Sequence, residues 1–186
     1  MKRLSFLLIL GAAVLCAQES VFTLDPAHTD VRFTLHDPLH TVHGSFKLKS
    51  GTVRFDESGR AGGEVVVDVL SGESGSGARD GRMHKNILQS ARFPEAVFAP
   101  DQVVGRVARE GPSHVQVHGV LRLHGAGHEM TLDAQLEPRP GGQLEADMTF
   151  VIPYVAWGLK NPSTFLLKVE DKVEMEIHAL GTVTWR

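Results

Sequence analysis

HVQVHGVLRLHGAGHEMTLDAQLE, residues 114–137, alternates apolar and polar positions on both sides of a glycine-rich turn. Val115, Val117, Gly119, Leu121 and Leu123 interleave with His114, Gln116, His118 and Arg122. Beyond Gly125-Ala126-Gly127, Met130, Leu132, Ala134 and Leu136 interleave with Thr131, Asp133, Gln135 and Glu137. Successive side chains of a strand point to opposite faces, so a period of two buries one face and wets the other. Two such runs joined by a turn make an antiparallel hairpin.

The pattern continues in both directions. Val31, Phe33 and Leu35 share a face, as do Phe46 with Leu48, Val53 with Phe55, and Val65 with Val67 and Val69. Towards the C-terminus, Leu144, Ala146, Met148, Phe150 and Ile152 form one face, and Val173, Met175, Ile177 and Ala179 another. Glu57-Ser58-Gly59, Gly111-Pro112-Ser113 and Pro138 to Gly142 supply turns. The spacing predicts an all-β chain of about eight antiparallel strands, a sandwich or a barrel, in one domain over residues 19–186. The 186-residue length suits a single core, and 19 glycines and 9 prolines suit many tight turns.

Two stretches depart from alternation. In residues 78–90, ARDGRMHKNILQS, Met83, Ile87 and Leu88 lie at helical spacing. A short helix is expected there, capped at Ser76 or Asp80 and closed by Phe93-Pro94, after a flexible Gly/Ser segment. Residues 153–165, PYVAWGLKNPSTF, carry two prolines and three aromatics. That composition excludes a regular central strand and fits a loop on or across a barrel mouth.

The N-terminus reads as an export signal. Lys2 and Arg3 precede an apolar stretch too short for a comfortable membrane span, and Gln18-Glu19-Ser20 end it. Residues 1–17 are expected to be removed, placing the mature protein in the periplasm or outside the cell, without an integral span. A lipid anchor on Cys16 and a retained membrane anchor are the alternatives. Cys16 is the single cysteine, so the processed chain has neither disulfide nor thiol chemistry. The formal charge of −3 falls two units further when Lys2 and Arg3 leave. An acidic balance gives no reason to expect nucleic acid as a partner.

Across almost the whole mature chain, the order of short motifs resembles the YceI-like family, lipocalin-like periplasmic polyisoprenoid-binding proteins. The similarity runs through Asp25-Pro26-Ala27-His28-Thr29-Asp30-Val31-Arg32-Phe33, then Val42-His43-Gly44-Ser45-Phe46, then Gly51 to Phe55-Asp56. It continues through Arg79-Asp80, through Phe93-Pro94 to Phe98, and through His118-Gly119-Val120-Leu121 with His124-Gly125. Gly81-Arg82-Met83, Leu88-Gln89-Ser90 and Ile152 to Gly158 depart from the family pattern. The resemblance implies an eight-stranded antiparallel lipocalin-like barrel with one short helix and an apolar tunnel for a long-chain lipid. It admits a homodimer and calls for no cofactor.

Candidate tunnel residues are Phe33, Leu35, Phe46, Val67, Met83, Phe98, Met148 and Phe150, with Trp157 and Phe165 capping the tunnel from the 153–165 loop. The alternatives are an ordinary packed core and a loop that plugs the barrel. Arg79, Asp80, His84 and Lys85, on the short helix, are candidates for a polar head group; the alternative is an internal ion pair that fixes the helix. The best metal candidate is His36 with His40 and His43, and a His-based metal protein or metal-dependent enzyme is the competing function. A filled barrel with a purely structural role is a third. No Gly-x-Ser-x-Gly elbow, phosphate loop or catalytic cysteine is present, so the chain is read as a binder and not an enzyme.

Overall fold

The hairpin of residues 114–137 forms as expected and anchors the sheet. Strands β6 (Ser113–Leu123) and β7 (Ala126–Arg139) pair in continuous register from Ser113↔Leu136 to Leu123↔Ala126. His124 and Gly125 turn the chain with φ of 52° and 82°. A two-residue turn with positive φ at both positions matches the right-handed strand twist, and glycine takes it without strain.

In the computed structural model, residues 19–36, 41–164 and 168–186 are described. The expected signal peptide over residues 1–17, Phe165 and His40 lie outside the described residues. The other strands are β1 (Ser20–Leu24), β2 (Asp30–His36), β3 (Thr41–Phe55), β4 (Ala61–Glu73), β5 (Glu95–Val104), β8 (Gln143–Ile152) and β9 (Val173–Thr184). All pairings are antiparallel, and the β3–β4 pairing closes the sheet into a barrel.

Nine strands make eight staves because β1 and β2 share one position. β1 pairs with the second half of β3 (Phe22↔Val53) and with β9 (Phe22↔Val183). β2 pairs with the first half of β3 (Phe33↔Gly44) and with β9 (Phe33↔Met175). Between them a single 3-10 turn, Pro26–His28, interrupts the ladder. Asp25 holds it, accepting from Ala27 N at 2.9 Å and contacting His28 Nδ1 at 2.7 Å, while Thr29 Oγ1 donates to Asp25 O at 2.8 Å.

Long β3 contains an irregularity. Its register with β4 shifts between Leu48↔Val67 and Ser50↔Val66. One extra residue in a ladder reverses the facing of everything after it. Phe46 and Leu48 therefore reach the interior on even numbers, and Val53 and Phe55 on odd ones. At the far end of β3, Asp56 knits the turn into β4. Its carboxylate accepts from Ser58 N at 2.8 Å and Arg60 Nε at 2.9 Å, and its pKa falls to about 2, chiefly through the Ser58 hydroxyl.

The helix expected over 78–90 begins earlier and changes character. Ser76 is its N-cap residue, without a side-chain cap bond. Helix α1 (Gly77–Arg82) runs directly into a π-helical turn (Met83–Leu88), ended by Gln89 in the left-handed region. Among the described residues no helix is long and apolar enough to cross a membrane.

Candidate functional site: an apolar cavity inside the barrel

Interior side chains form two packed groups joined through Val67 and Ile177. One centres on Phe22, Leu136, Leu144, Ala179 and Val183, where Leu144 is 1% and Ala179 0% exposed. Trp185 closes this end, meeting the Phe55 ring edge-on at 6.1 Å and lying under the Arg109 guanidinium at 5.4 Å. The second group, around Phe33, Leu121, Tyr154 and Met175, gathers side chains of the helical segment and the 153–164 loop.

Burial thins towards that second end. On β8, Leu144 and Ala146 are buried, whereas Met148 and Phe150 are half-buried although they share the same inward face. Leu35, Phe46, Phe98 and Met130 are also half-buried, inward-facing side chains. An inward side chain with exposed surface borders empty space. The space is a cavity of about 280 Å³.

Its wall includes Phe33, Leu35, Phe46, Val67, Met83, Phe98, Met148 and Phe150. Ile87 and Leu88 of the π-helical turn join Met83 there. Sequence spacing had found their shared face without showing where it pointed. Among the described residues, only Thr29 and Tyr154 bring a polar side chain to the wall, and both are engaged. Thr29 Oγ1 donates to Asp25 O, and Tyr154 Oη donates to Glu170 O at 2.6 Å. Burial, with the nearby Asp171 charge, pushes the Tyr154 phenol up to about 12, which keeps it a neutral donor.

Glycines make the wall thin where phenylalanines lie on it. A Cβ on Gly44 would stand 2.3 Å from Phe33 Cζ, and one on Gly119 2.8 Å from Phe98 Cζ. Each ring fills the place of the missing side chain and leaves the lumen clear.

Trp157 is placed differently from the expectation. It does not border the cavity; its ring stacks on His128 with centroids 4.0 Å apart and planes 3° apart. The cause is the local turn, in which Trp157 N donates to Pro153 O and Leu159 N to Tyr154 O. This turn sends Tyr154 and Leu159 inward in its stead.

The expected head-group cluster is also occupied otherwise. Ser74 N donates to Asp80 Oδ1 at 2.9 Å, and the Ser74 hydroxyl donates to the same oxygen. Arg79 donates from Nε to Ser74 Oγ at 2.7 Å and from Nη2 to Ser74 O at 2.5 Å. His84 Nε2 lies 2.8 Å from Gly72 O, which can only accept, so that nitrogen carries the proton and Nδ1 accepts from Ser90 Oγ at 3.0 Å. Arg79, Asp80 and His84 thus clamp the helical segment to the end of β4. Lys85 is exposed and stands apart from this network.

His36 and His43 sit on the outer face, each against a threonine across the ladder: His36 with Thr41 at 3.3 Å, His43 with Thr34 at 3.1 Å. Among the described residues no three His, Cys, Asp or Glu side chains converge as metal ligands would.

The family model of the YceI-like domain matches residues 22–180. The chain belongs to the YceI-like family. Solved YceI-like barrels share its fold at low identity. BcnA of Burkholderia cenocepacia aligns with a TM-score of 0.71 and 18% identity, over 86% of this chain and 99% of its own. A polyisoprenoid binding domain from Saccharophagus degradans, implicated in plant cell wall breakdown, aligns at 0.67 and 14%, over 88% and 98%. The YceI protein of Campylobacter jejuni aligns at 0.61 and 16%, over 81% and 88%. No curated protein matches the sequence. At such identities the likeness carries the YceI-like barrel and not the identity of a ligand.

Proposed function

We propose that the protein holds one long-chain apolar or amphiphilic molecule, of isoprenoid, quinone-precursor or fatty-acyl type, inside the barrel, and that it does so outside the cytoplasm as a carrier and not as an enzyme. The observation that carries this reading is the cavity of about 280 Å³ whose two polar lining groups are both satisfied by the protein itself. Such a wall offers a hydrocarbon chain transfer from water worth roughly 0.8 kcal/mol per methylene, before ordering costs. It offers nothing to polarise a reacting bond. Family membership and the Saccharophagus degradans domain, described as polyisoprenoid-binding, support the ligand class. The N-terminal pattern of residues 1–17 supports export.

Native purification, solvent extraction and mass spectrometry test the reading. A stoichiometric long-chain compound, absent from a denatured control, is the expected result. An empty extract together with failure to take up added lipids overturns it.

A further inference from the structure

We propose that Nε2 of His128 is the hydrogen-bonding point for the head of the held molecule, and that this head presents a neutral oxygen, a carbonyl or a hydroxyl. The proposal rests on the carrier reading above.

In the β7 register, His128 follows closely on the hairpin turn. It pairs with Leu121 and stands two residues before Met130, and both of those side chains line the cavity. Side chains two apart on a strand share a face, so His128 stands one inward position beyond Met130, just past the residues that line the cavity itself. Trp157 lies flat over its ring. In this setting Nε2 is buried and has no hydrogen-bond partner among the described residues. A dry, unpaired polar atom is costly, and that cost is removed when a partner arrives.

Among the described residues, the other polar groups named above are already engaged, except Lys85, which faces solvent. Tyr154 and Thr29 bond to main-chain oxygens, and Arg79, Asp80 and His84 hold Ser74, Ser90 and Gly72. His124 has an unpartnered Nε2 too, but it belongs to the hairpin turn, with its ring 4.5 Å from that of Phe93. His128 is therefore the group where the apolar wall ends and a polar atom is wanted. A single imidazole nitrogen donates to a carbonyl or, in the other tautomer, accepts from a hydroxyl. An apolar surround with one such atom suits a neutral oxygen better than a phosphate, which needs several donors.

The test uses the full mature protein and three probes of equal chain length: a long straight-chain alkane, its primary alcohol and its methyl ketone. Each competes against an apolar fluorescent dye. The alcohol and ketone are expected to bind roughly fivefold tighter than the alkane, the worth of one net hydrogen bond. That preference disappears in His128→Phe, which keeps a flat ring for Trp157, and survives in part in His128→Gln. In the unaltered protein, the ketone shifts the His128 imidazole nitrogen resonance and the alkane does not. Equal binding of all three probes with an unmoved resonance overturns the head-group assignment and leaves the carrier reading standing. A preference that persists in His128→Phe also overturns the assignment. Failure of every probe to bind overturns both.

Discussion

Phe33 lies on Gly44, its cross-strand partner, so closely that a methyl group there would overlap the ring; the carbonyl of Glu73 approaches the same point, also at 2.3 Å. The glycine is thus squeezed from two sides, one flexible and one backbone. Gly44→Ala must tilt Phe33 into the cavity and displace β4. Overpacking of this kind costs about 1–3 kcal/mol. We expect a lower urea midpoint and a smaller capacity for an apolar dye. Unchanged dye uptake would show that the ring does not set the bore.

Two histidines on the outer face give the barrel a pH response. His178 Nδ1 lies 2.6 Å from Asp147 Oδ1, and His118 Nδ1 lies 2.7 Å from Asp101 Oδ1. Each carboxylate hydrogen bond raises its imidazole above the ordinary 6.5. A raised folded-state pKa means that the folded protein binds the proton more tightly than the unfolded chain. The stabilisation is complete below 6.5 and is lost as pH rises through the folded values. The thermal midpoint is therefore expected to fall between about pH 6 and about pH 8, modestly because the pairs are exposed. In Asp101→Asn/Asp147→Asn the fall should flatten. An equal slope in both proteins would exclude these pairs as its source.

Ser74 is the hub that ties the helical segment to β4, and Asp80 is its principal acceptor. Asp80→Asn can leave an amide nitrogen where Ser74 needs an acceptor, which weakens the Ser74 hub. Backbone amides of residues 74–90 are expected to exchange hydrogen severalfold faster, while β6 and β7 keep their protection. The ratio of ketone to alkane binding should not change. A lost ratio with unaltered exchange would return Asp80 to the head group.

The barrel was legible because its strands alternate cleanly where both neighbours are regular, as in β6, β7, β8 and β9. β1 escaped notice because Ser20 to Leu24 follow closely on the apolar N-terminal stretch and show too few residues for a period. β5 was hidden by its own irregularity: Pro100 pairs with Gly119 but Gln102 with His118, so Phe98 and Val103 reach the interior on opposite parities. At the site, alternation located Phe33, Met148 and Phe150 correctly on the inner face. It could not place Trp157, whose direction comes from a chain of turn hydrogen bonds rather than from periodicity. Arg79 and Asp80 were visible as a charged pair; that Ser74 would absorb them both depends on how the short link of residues 74–76 between β4 and α1 folds back. His128 begins an alternating run, and only the register shows that its ring shares a face with Leu121 and Met130.

The stopper of Phe55, Trp185 and Arg109 makes the barrel a vessel with one working end. On the proposed carrier reading, a molecule enters tail first and leaves head first, through the same end. Depth then caps the length of tail that can be stowed, much as a scabbard limits its blade.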